Sequence, residues 1–100
     1  MTISAYRFEF QPTVAFPAVE QTLLLALLGT ESLFGHARVR MDAAYETDAE
    51  KRTCVIDAST DVGTYLIRLF TGYAVREFGD KAFAVKRVTA VKTAAVVAGN

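Results

Sequence analysis

The sequence predicts an α+β domain, with four antiparallel strands and two helices packed on one face of the sheet. Three observations carry this. Residues 3–10, ISAYRFEF, alternate strictly between apolar and mixed sides, the period of a half-buried strand. From Cys54 to Gly79 the chain passes from small and β-branched apolar residues, through short polar ones, into helical spacing. The elements then fall in the order strand, helix, strand, strand, helix, strand.

In the first strand Tyr6, Phe8 and Phe10 share one side, and Ala5, Arg7 and Glu9 the other. Gln11, Pro12 and Thr13 break it. A helix follows from about Ala15 or Pro17 to Leu28. Pro17 suits a first turn, where its missing N–H has no partner to lose, and Gly29 is the expected stop. Ala18, Val19, Thr22, Leu23, Ala26 and Leu27 form the core stripe. Leu24 and Leu28 extend the line of Glu20 on the opposite side, so the helix is apolar almost all round and calls for cover on both sides.

Thr30 to Gly35 is read as a loop, and His36 to Tyr45 as a second strand, with Val39, Met41, Ala43 and Tyr45 inward and Arg38, Arg40 and Asp42 outward. A polar hairpin loop spans Glu46 to Lys51, and the third strand Arg52 to Ala58. Pairing these about the loop sets Tyr45 against Arg52, Ala43 against Cys54, Met41 against Ile56 and Val39 against Ala58. Arg40 then faces Asp57, a favourable cross-strand charge pair.

Asp57, Ser59, Thr60 and Asp61 supply the oxygens that cap a helix start, with Thr60 or Ser59 as N-cap and Asp61 in the first turn. Val62, Leu66, Leu69 and Tyr73 line one stripe of this helix, flanked by Tyr65 and Phe70. Arg76 lies in its last turn, and Gly79 ends it. Gly63 and Gly72 weaken it by about 1 kcal/mol each relative to Ala. Lys81 to Val88 is the fourth strand. Residues 89–100 form an apolar tail, an extra strand, helical turn or arm beyond a single domain of residues 1–88. The element order is the split βαβ, ferredoxin-like arrangement, with expected strand order 4-1-3-2. That fold hosts many functions and decides none.

One hundred residues, 52% of them hydrophobic, suffice for a single core without metal or disulfide. Eleven basic residues balance eleven acidic ones, which removes the electrostatic case for nucleic acid or anionic membrane and eases self-association. One cysteine permits no internal disulfide, and one histidine no imidazole cluster. The longest apolar run, Leu23 to Leu28, is far short of a membrane span, and no N-terminal signal is visible, so a soluble cytoplasmic protein is expected.

Chemistry-bearing residues are sparse. Cys54 reads as an inert core thiol, too far along the hairpin from His36 to form a nucleophilic pair. Asp42, Asp57 and Asp61 match no metal loop, and no metal, cofactor or catalytic group is expected. The open sheet face carries Arg7, Glu9, Arg38, Arg40, Asp42, Thr53, Val55 and Asp57, with Lys86 or Arg87. The Ser59–Thr64 turn is a poor anion site, because Asp57 and Asp61 repel an anion there.

The leading expectation is a small non-catalytic interaction module or accessory subunit. Its partner would be a second copy or another protein, met through Leu24, Leu28, Val91 and Val96. The alternatives are a regulatory domain binding a small ligand through Arg38, Arg40 and Asp57, and an enzyme whose site forms between subunits.

Overall fold

The sheet is built on β1 (Thr2–Phe10), which pairs antiparallel with β3 (Thr53–Asp57) on one side and β4 (Phe83–Val91) on the other. β2 (Tyr45–Asp48) completes it beside β3, giving the order β2-β3-β1-β4. The first and third strands are central, as the sequence predicts. The computed structural model describes residues 2–91. Against the sheet lie α1 (Phe16–Phe34), the short α2 (His36–Asp42) and α3 (Asp61–Phe78).

The alternation in β1 turns Phe8 and Phe10 into the core, as expected. Phe8 meets Phe70 of α3 edge-on, with centroids 4.9 Å apart, and Phe10 stacks on Phe83 of β4 at 5.3 Å. Cys54 and Ile56 of β3, Val19, Leu23 and Ala26 of α1, and Val62 and Leu66 of α3 fill the rest. The cap of α3 also follows the sequence. Thr60 Oγ1 accepts from the Gly63 N–H at 2.9 Å, and Gly79, at φ +90°, ends the helix.

The middle of the chain differs from the expectation. Helix α1 does not stop at Gly29 but runs on to Phe34, so Thr30 to Phe34 is helix rather than loop. Gly29 serves helix packing instead. A Cβ there would sit 2.6 Å from Leu69 Cδ2 of α3, so the missing side chain lets the two helices approach. The stop is Gly35, at φ +88°, a conformation that costs glycine little.

Beyond it, His36 to Asp42 is helical, not a strand. Only Val39 of this segment is buried, and Met41, expected inward, is 83% exposed. Arg38 and Asp42 pair at i,i+4 across one turn, 3.3 Å apart, which an extended chain does not permit. The hairpin therefore starts later. Tyr45 pairs with Ile56, Glu46 with Val55, Thr47 with Cys54 and Asp48 with Thr53, which replaces the expected register, including its Arg40–Asp57 pair.

Arg52 is not a strand residue but the turn's left-handed position, at φ +58°. Its guanidinium donates to the carbonyls of Gln11 and Val14, tying the turn to the β1–α1 loop. β4 continues through Val91, beyond the expected boundary at residue 88. Val96 lies outside the described residues.

Candidate functional site: the outer face of helix α1

Helix α1 buries Val19, Thr22, Leu23 and Ala26 against the sheet and α3. Its outer face carries Leu24, Leu25 and Leu28, which are 56%, 59% and 53% exposed. Leu28 lies four residues from Leu24 and three from Leu25, so the three share one patch. The sequence pointed to Leu24 and Leu28. Leu25 was missed, although its spacing from Leu28 places it on the same side.

Two grooves flank the patch. On the α3 side, Leu25 and Leu28 with Gly29, Tyr73, Arg76 and Glu77 enclose about 550 Å³. On the α2 side, Leu24, Leu27 and Leu28 face Val39, Arg40 and Tyr45 across about 170 Å³. The leucines thus form a ridge between two part-apolar furrows, the relief that a packing helix requires.

The predicted ligand residues do not come together. Arg38 and Arg40 are on α2, not on the sheet. Arg38 is held by Asp42 and lies 5.1 Å over the Phe34 ring. Arg40 borders the α2 groove, beside the leucine ridge. Asp57, at the end of β3, is buried. Its carboxylate accepts from the Ser59 N–H at 2.8 Å and its own N–H donates to the Ala44 carbonyl, so it shapes the turn into α3.

Where the arginines were expected, the open sheet face instead carries Glu46 and Asp48, with Arg7, Glu9, Lys51, Thr53 and Val55 around a shallow hollow of about 530 Å³. Glu9 bridges Lys86 and Arg7, each at 3.1 Å. The hydrogen bond from Lys86, aided by Arg7, holds the Glu9 carboxyl below the usual range. Acids and bases balance here, so the face has no preference for anions.

Cys54 is buried, as expected, though it faces Thr47 and Phe8 rather than Ala43. Burial pushes its thiol up to about 12, so it is protonated and unreactive at neutral pH. His36 opens α2 and donates from Nδ1 to Glu31 at 2.9 Å. Among the described residues, no group of His, Cys, Asp or Glu is arranged to hold a metal ion, and no helix is long and apolar enough to cross a membrane.

A further groove was not anticipated. Ser4 and Tyr6 of β1, Thr64, Arg68 and Thr71 of α3, and Arg87 of β4 line about 710 Å³ beside α3. Arg87 donates to Ser4 Oγ at 3.2 Å, and no carboxylate lines the groove among the described residues. Its signal was hidden because Arg68 and Arg87 are distant in sequence and come to line one groove only once β4 pairs with β1 beside α3. Comparison with family models, with curated proteins and with solved structures found no match.

Proposed function

We propose that this chain is a small non-catalytic interaction module that docks another protein surface on the outer face of α1. The single observation that carries this reading is the ridge of Leu24, Leu25 and Leu28 standing exposed between two grooves. Contiguous apolar patches of this kind mark interaction surfaces, whereas isolated exposed apolar residues do not. Covering three half-exposed leucines would contribute about 2–4 kcal/mol from each chain. The balanced charge lets apolar contact decide association. The strand order and antiparallel pairing support a ferredoxin-like split βαβ topology with α2 added in the first crossover. The lone buried thiol fits a reducing cytoplasm.

The test is recovery of the tagged chain from its native host, with absolute mass by light scattering, for the wild type and for Leu24→Glu/Leu28→Glu. The wild type is expected in a stoichiometric complex with itself or another protein, and the variant as a folded monomer by circular dichroism. A wild-type monomer with no stoichiometric partner would overturn the reading.

A second reading is a module that binds a small anion in the groove of Arg68 and Arg87, not through Arg38 and Arg40. Its support is two guanidinium groups with no lining carboxylate in a chain of zero net charge. It expects a thermal upshift with inorganic pyrophosphate that is lost in Arg68→Ala/Arg87→Ala. No upshift in the wild type would remove it.

A further inference from the structure

We infer that the occupant of the α1 face is a second copy of this chain, bound so that the two α1 helices run antiparallel about a two-fold axis. The inference rests on the docking reading above and adds the partner and its orientation.

The first support is the apolar patch and its spacing. A two-fold axis crossing α1 at the level of Ala26 maps residue 24 onto residue 28. Each Leu24 then lies over the partner's Leu28, and the exposed leucines of each copy cover those of the other.

The second support is charge. Glu20 is exposed on α1, on the side that faces β2, where it shares a hollow with Leu24 and Tyr45. Arg40 is exposed on α2, on that same side, and borders the groove toward the C-terminal half of α1. Neither makes an ion pair among the described residues.

Rotation about an axis perpendicular to α1 reverses the helix but keeps the α2 side over the α2 side. Glu20 lies six residues from the axis, about 9 Å along the helix. The rotation carries it to the same distance beyond the axis, past the partner's Glu31, which its own chain's His36 engages, and toward the partner's Arg40 in the same groove. The reciprocal pair forms at the other end. A parallel arrangement places the α2 side over the α3 side and brings neither pair together. The face thus joins apolar contact with complementary charge in one orientation, and zero net charge leaves little long-range repulsion between copies.

The test uses the full chain in sedimentation equilibrium across the micromolar range at low salt. The wild type is expected as a dimer. Glu20→Arg alone sets like charges opposite Arg40, and Arg40→Glu alone sets like charges opposite Glu20, so each should weaken association tenfold or more. Mixing the two single variants should restore a dimer containing one of each, because one charge pair is then re-formed with reversed sign and the other in its original sense. The double variant should also dimerise with itself.

A wild-type chain that stays monomeric throughout, yet forms a complex with a different protein that Leu28→Glu abolishes, would overturn the second copy and leave the docking reading standing. A dimer unaffected by Leu28→Glu would overturn both. A dimer sensitive to Leu28→Glu but with no rescue on mixing would overturn the antiparallel arrangement.

Discussion

Ala at Gly63 would drive a methyl group into the carbonyl oxygen of Asp57, where neither backbone can yield without moving the turn that starts α3. Gly72, nine residues on in the same helix, has open space around it. The two glycines therefore predict opposite results. Gly63→Ala should destabilise the fold by about 1–3 kcal/mol as overpacking, and Gly72→Ala should stabilise it by about 1 kcal/mol through helix propensity. Urea denaturation of the two variants checks both signs. Cys54 supplies a pH prediction. Its thiol is raised to about 12 by burial, whereas in the unfolded chain it titrates near the ordinary cysteine value of about 8.5–9. Stability is fully present below the unfolded value. It should then fall by up to about 1.4 kcal/mol per pH unit until the folded value is reached, because the unfolded chain releases a proton that the native chain retains. The difference in unfolding free energy between wild type and Cys54→Ala, followed from pH 8 to about 10.5, isolates this contribution from the tyrosines. A difference that does not change with pH would mean that the thiol is hydrated.

At the level of elements, Met41 separates the two descriptions of the segment from His36 to Asp42. On an inward-facing strand, Met41→Glu would bury an unpaired charge and cost several kcal/mol. On α2, where Met41 is exposed, it should change stability by less than about 0.5 kcal/mol in chemical denaturation. How much of the architecture was legible follows from the same physics. Helix α3 could be read because its cap, its period and its stop all agree over eighteen residues. Helix α2 could not, because seven residues hold fewer than two helical turns. Val39 is inward under either period, leaving the i,i+4 pair of Arg38 and Asp42 as the one helical signal. Gly29 misled because a glycine that ends a helix and one that admits a neighbouring helix look alike until Leu69 is seen against it. The candidate site divides in the same way. Leu24 and Leu28 needed only the period of α1 to be placed outside. Arg38, Arg40 and Asp57 needed the register of a hairpin whose first strand begins at Tyr45, so their supposed convergence failed with that register.

For the whole molecule, the proposed dimer through α1 would couple folding to concentration. The ridge leucines are exposed in the lone chain, so a copy that covers them adds stability only while it is bound, by mass action. Two chains unfolding from one dimer give a midpoint that rises with protein concentration. For a domain of this size each tenfold increase should raise Tm by about 3–5 °C. Leu28→Glu should remove that dependence, and its Tm should match the value that the wild type approaches on dilution, because Leu28 contributes little to the fold of the single chain. The expected pattern in differential scanning calorimetry is therefore two curves of Tm against concentration that converge at the dilute end and separate at the concentrated end. Parallel curves, offset at every concentration, would instead mean that Leu28 supports the monomer's own core and that the α1 face is not where copies meet.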